Sequence, residues 1–195
     1  MTPGPYHWFL NTLVRVHVSC DQGTDRISYI EHRVRKGESP PLHIHEREDE
    51  IFHLLEGHFT FRMGDAELKK DPGDVVFIPK GTPHTFRCDS DTGHFFSITT
   101  GRDFELFLRA MWRPAERAEI PTPVVPSPDV IEALGKAAAR IELVNASGQV
   151  MPCTITRTSD GALGAQRTRS RARDGCGCRS GFPGGAVEGR AMHGA

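Results

Sequence analysis

The chain has 195 residues, 37% of them hydrophobic and 25% charged, which suits one domain with extensions better than two full domains. Twenty-four Lys and Arg against 25 Asp and Glu leave a net charge of −1, so no global field favours nucleic acid or an anionic membrane. No apolar run approaches the roughly 20 residues of a bilayer span, and Met1 to Phe9 has neither a basic start nor a cleavable apolar stretch, so a cytoplasmic location is expected.

The first 100 residues alternate short strand-like runs with turn signals. Thr12 to Ser19, Ile27 to Arg35, Glu50 to Leu55, His58 to Met63, Asp74 to Ile78, His84 to Cys88 and His94 to Thr99 are rich in Val, Ile, Phe and Thr. Gly, Pro or Asp occupies almost every gap, as in Glu56-Gly57, Asp71-Pro-Gly73 and Lys80-Gly81. Many short strands at this spacing predict a mainly β fold, a sandwich or closed antiparallel barrel, over 1–100. After Gly101, Phe104, Phe107, Leu108, Met111 and Trp112 recur at helical spacing, and Pro114 limits that helix. A Pro-rich linker, Pro121 to Pro128, leads to a second helix, with Asp129 as the expected N-terminal cap and Val130, Leu134, Ala137, Ala138 and Ile141 as its apolar stripe. Residues 101–150 therefore read as a helical extension packed on the barrel.

Residues 151–195 carry seven Arg, three acids and nine Gly but one aromatic residue, Phe182, and cannot build a core. This stretch is expected to be a disordered, non-catalytic tail. By difference, residues 1–150 have a net charge of −5 and hold nine of the ten His. Cys20, Cys88, Cys153, Cys176 and Cys178 show no zinc-ribbon pairing and no even disulfide framework.

The chemistry concentrates in two segments. In Gly37-Glu-Ser-Pro-Pro-Leu-His43-Ile-His45-Glu-Arg-Glu-Asp-Glu50-Ile-Phe-His-Leu-Leu-Glu-Gly57, His43 and His45 are two apart, so in a strand both imidazoles face the same way. Glu50 opens the next strand and shares its face with Phe52 and Leu54, a face predicted to be the barrel interior. In Gly73-Asp-Val-Val-Phe-Ile-Pro79-Lys-Gly81-Thr-Pro-His84-Thr-Phe86-Arg-Cys88, Pro79 and Gly81 shape a turn and His84 can return a third imidazole to that interior. Three imidazoles and a carboxylate suit a divalent transition ion (Fe, Mn, Ni, Co, Cu or Zn) better than Ca²⁺ or Mg²⁺, which prefer all-oxygen shells. His7, His17, His32, His53, His58, His94 and His193 read as ordinary core or surface histidines. Cys88 reads as a small buried hydrophobe.

The two segments resemble the paired motifs of the cupin superfamily. Gly37, His43, His45, Glu50 and Gly57 meet the first motif in full; Gly73, Pro79, Gly81 and His84 meet the second, whose final asparagine is Cys88 here. Trp8 to Val14, the His45–Glu50 and Pro79–His84 stretches and the end around Ile131 to Val144 are similar to small single-domain bacterial cupins of the quercetin dioxygenase-like kind. The resemblance implies a jelly-roll-like barrel with one metal ion on His43, His45, Glu50 and His84. It also implies O₂-dependent cleavage of a flavonol-like or related enolic aromatic substrate, with Glu50 as the catalytic base.

The interior side chains Phe52, Leu54 and Phe86 would then favour a flat apolar ligand, although the same positions suit plain barrel packing. Two alternatives stand beside the dioxygenase. One is a non-oxidative metal-dependent isomerase, lyase or polyketide cyclase, in which the ion polarises a carbonyl and Glu50 moves a proton. The other is a small-molecule-binding barrel without turnover. The expected partners are a small molecule and O₂, with no nucleic acid and no membrane. The resemblance also admits a homodimer through an outer sheet, with Tyr6 to Phe9 available to take part.

Overall fold

The computed structural model describes residues 4–140 and, beyond them, 143–145, 156–157 and 163–164. Ten strands precede the first helix: β1 (Tyr6–Phe9), β2 (Thr12–Val18), β3 (Ile27–Arg35), β4 (His43–His45), β5 (Glu50–Glu56), β6 (Phe59–Met63), β7 (Ala66–Lys70), β8 (Val75–Ile78), β9 (His84–Cys88) and β10 (Thr92–Thr100). Helix α1 (Asp103–Met111), the two-residue strand β11 (Arg113–Pro114), helix α2 (Pro128–Arg140) and strand β12 (Leu143–Asn145) follow.

All pairings are antiparallel. One sheet runs β11-β1-β2-β3-β10-β5-β8 and the second β12-β4-β9-β6-β7. The two enclose an apolar interior, the jelly-roll-like arrangement expected for a mainly β fold with two short helices. Alternation sets the faces: on β5 the burial pattern puts Glu50, Phe52 and Leu54 inside and leaves Ile51, His53 and Leu55 part-exposed. Val34, Phe52, Leu54, Phe59, Phe61, Val76, Ile78, Cys88 and Phe95 form the main core. Gly57 closes the β5–β6 connection at φ +86, where a Cβ would lie 2.6 Å from the Thr92 carbonyl oxygen, so only glycine fits.

Helix α1 packs against β2 and β3. Leu108 packs with Val16 and Ile30, flanked by Phe9, Phe104, Phe107 and Trp112. The expected helix through Trp112 ends one residue sooner, at Met111: Trp112 is extended (φ −79, ψ 163), and its indole stacks on His7 at 3.9 Å. Pro114 does more than stop the helix, because Arg113–Pro114 pairs with His7–Trp8 of β1. In α2 the expected cap Asp129 lies inside the first turn. The residue placed at the end is Ser127, whose Oγ accepts the Val130 N–H at 3.4 Å, with Pro128 in the first helical position where its missing N–H costs nothing.

Ala138 of α2 packs on Phe107 of α1. Beyond α2, β12 pairs with β4, Leu143 opposite His45 and Asn145 opposite His43. The expected tail, 151–195, lies outside the described residues except for a short ladder between Thr156–Arg157 and Leu163–Gly164. No helix among the described residues is long and apolar enough to cross a membrane.

Candidate metal centre

Four interior side chains converge where β4, β5 and β9 meet. His43 and His45 come from β4, Glu50 from the first position of β5 and His84 from the first position of β9, with His43 directly opposite His84 in the ladder. All four are at most 8% exposed. One nitrogen or oxygen from each lies within 4.8 Å of the others, a set that can hold a metal ion. His84 Nε2 is 3.1 Å and His45 Nε2 3.5 Å from Glu50 Oε2. The ring centroids of His43 and His84 are 4.2 Å apart.

The outer nitrogens fix the tautomers. His43 Nδ1 donates to the Pro41 carbonyl at 2.8 Å, and His84 Nδ1 donates to the Thr82 carbonyl at 2.9 Å. Each Nε2 is thereby left as a lone-pair donor facing the centre, the form in which imidazole binds a metal. His45 Nε2 is buried without a hydrogen-bond partner, and a metal ion is the kind of group that would satisfy its lone pair. Burial, reinforced by the neighbouring His84 and His45, keeps the His43 imidazole neutral, well below its ordinary pKa. Burial also disfavours charge on His45 and Glu50, but their mutual attraction prevails, raising His45 and lowering Glu50.

Phe52 and Phe86 stand next to the quartet on the same strand faces, two residues beyond Glu50 and His84. Their rings meet edge-on at 5.8 Å, and both also touch Phe61 and Phe95. Leu54, fully buried, lies one step deeper in the apolar core. The structure thus places Phe52 and Phe86 beside the quartet and Leu54 farther away.

Two further buried residues lie near the quartet. His32 is a core histidine, one of the two ordinary kinds expected of it: it lies inside the barrel, stacked on Phe95 at 4.7 Å and bonded through Nε2 to Ser97 Oγ at 2.8 Å. Burial pushes its pKa down to about 4, so it is neutral at pH 7. Its alternation with Ile30 and Val34 is the signal that reveals its interior position. Glu48 is the other: only 2% exposed, it faces His45 Nδ1 at 3.6 Å. The other described histidines are not part of the quartet, and His193 lies outside the described residues. His17 and His94 contact Glu31 at 2.8 and 3.1 Å, and His58 pairs with Asp71 at 2.7 Å.

The family described as "Cupin domain" matches residues 30–99. Quercetin 2,3-dioxygenase of Bacillus subtilis (strain 168) is 33% identical over 81 residues, which is 42% of this chain and 24% of that protein. The chain thus matches about a quarter of the length of this relative. Among solved structures, a cupin-2 domain from Rhodospirillum rubrum is 20% identical with a TM-score of 0.42, covering 66% of this chain and 72% of that one. The DMSP lyase DddQ from Ruegeria pomeroyi is 29% identical with a TM-score of 0.37, covering 40% of each chain.

Proposed function

Because the chain belongs to the cupin superfamily and gathers His43, His45, Glu50 and His84 in its barrel, we propose that it is a metal-dependent enzyme acting on an enolic small molecule. The leading reaction is O₂-dependent ring cleavage of a flavonol-like substrate. The observation that carries the metal reading is the convergence of four donor atoms within 4.8 Å, with the Nε2 of His45 lacking a hydrogen-bond partner. The partial similarity to a quercetin 2,3-dioxygenase supports the choice of substrate class.

When bound, a divalent transition ion supplies Lewis acidity and, if redox-active, one-electron chemistry. The chain's own residues do the rest. His43 and His84, anchored through Nδ1, present fixed lone pairs. Glu50, kept ionised despite burial chiefly by the attraction of His45, is the general base that takes the enol proton. Phe52 and Phe86 form an apolar floor beside Glu50 that favours a flat ring and excludes water. Leu54 backs that floor.

The same proton transfer by Glu50 would serve an isomerase or lyase that needs no oxygen, so the deciding experiment separates the two. The purified protein is analysed for metal, then oxygen consumption is followed with a small flavonol panel beside anaerobic controls. Stoichiometric metal and substrate-dependent oxygen uptake are expected. Substrate turnover that proceeds equally without oxygen overturns the oxidative assignment, and absence of metal binding overturns the site.

A further inference from the structure

We infer that Glu48 is a positioning residue whose single carboxylate orients His45 and caps α1, so that ion binding and α1 docking are coupled. The inference rests on the reading of the quartet as metal ligands. In the run Glu46 to Glu50, Glu46 and Arg47 are exposed whereas Glu48 is buried. A carboxylate taken out of water costs several kcal/mol unless its oxygens are matched by donors. The donors here are the first amides of α1: Asp103 N–H donates to Oε1 at 2.6 Å and Phe104 N–H to Oε2 at 2.9 Å.

That arrangement satisfies two of the four orphan amides of a helix start and places negative charge at the positive end of its dipole. Oε2, which accepts from Phe104, is also the oxygen 3.6 Å from His45 Nδ1. The contact to the imidazole is therefore the loosest of the three, and a proton on Nδ1 directed at Oε2 would leave Nε2 free for an ion. His43 and His84 are oriented by carbonyls two residues away in their own loops, whereas His45 faces a side chain anchored to another element. Phe104 of the same helical turn packs on the His45 ring at 5.4 Å.

Gly101 shows how closely the carboxylate is fitted. Its φ is +116, and a Cβ there would lie 2.5 Å from Glu48 Oε1. The start of α1 can close on Glu48 only with glycine at this position. An ion that fixes His45 would thus draw Glu48 and the α1 amides into a tighter set, and by reciprocity a well-capped α1 would favour the ion.

The test uses the full chain and Zn²⁺ alone, with calorimetry for affinity and amide hydrogen exchange for α1. Glu48→Gln keeps the volume but replaces one acceptor with a donor. Its Zn²⁺ affinity is expected to fall about ten- to hundredfold. Zn²⁺ should slow exchange at Asp103 and Phe104 in the unaltered protein and not in the variant. A cap without a positioning role would lower the melting temperature of metal-free Glu48→Gln and leave its Zn²⁺ affinity intact, and that result overturns the inference. So does exchange in α1 that ignores Zn²⁺ in the unaltered chain.

Gly101→Ala, which keeps the carboxylate but crowds it, supplies the answer if Glu48→Gln does not fold. Reduced affinity supports the coupling, and full affinity contradicts it. Failure of the metal reading looks different: the unaltered chain and His84→Ala would then be equally unable to bind Zn²⁺.

Discussion

The two ends of the barrel interior are built from the same alternating strands yet hold opposite chemistry. On β5, Glu50 at one end faces His45 and His84, while Leu54, four residues along the same face, is sealed in an apolar cluster with Phe59, Phe61 and Phe95. Ser97 and Thr99 of β10 extend the polar end, and Thr99, paired with Glu50 in the ladder, keeps a buried hydroxyl without a hydrogen-bond partner. Two neighbouring regions of one interior thus divide the work. The phenylalanine end holds the sheets together by burial, and the histidine end retains unsatisfied polar atoms whose energetic cost that burial must outweigh.

This division is broken most directly by cutting the apolar end. Phe61→Ala, at a side chain 1% exposed, should destabilise the protein by about 3–5 kcal/mol through lost contacts and a residual cavity. Denaturant unfolding measures that loss, while Zn²⁺ affinity of the folded fraction should stay within about twofold, a few tenths of a kcal/mol. His84→Ala should do the reverse. Zn²⁺ affinity falls at least about a hundredfold, or ~2.7 kcal/mol, with a smaller loss of stability than Phe61→Ala. Equal effects of both changes on both readouts would mean that the ends are not separable.

The polar end is more legible in the sequence than the apolar one. His43, His45, Glu50 and His84 are defined by spacing within two short segments, and a strand's period of two is enough to aim them inward. What spacing does not reveal is which acid in Glu46-Arg-Glu48-Asp-Glu50 is buried, because that depends on a helix more than fifty residues later meeting Glu48. Strand β7 is illegible in the sequence for a related reason: Ala66-Glu-Leu-Lys-Lys70 has no fully buried alternating face and is held in place by its ladder with β6. The pairing of Arg113–Pro114 and of β12 with distant strands is likewise a product of tertiary contact, which local propensity does not encode.

Glu105 sharpens the contrast, since it is a buried carboxylate with nothing left unsatisfied. It accepts from Ser28 Oγ at 2.6 Å, the Cys20 amide at 2.7 Å, Ser19 Oγ at 2.8 Å and Arg109 Nε at 2.8 Å, and so ties α1 to the barrel. Burial pushes its pKa up, but these donors outweigh burial and hold it down at about 2, from an ordinary 4.5. A depressed carboxylate stabilises the fold above its unfolded pKa, and this contribution fades as pH falls from 4.5 toward 2. Glu105→Gln should therefore cost on the order of 2 kcal/mol at pH 7, and its difference from the unaltered chain should shrink across that acid window. A difference independent of pH would show that packing, not charge, fastens the helix.

The smallest effect is expected at α2, where Ser127→Ala removes one long cap bond of 3.4 Å and should cost about 0.5 kcal/mol, read as a small shift in the thermal midpoint. Asp129→Ala, which removes only a charge from the first turn, should cost less, and the opposite ranking would return the cap to Asp129.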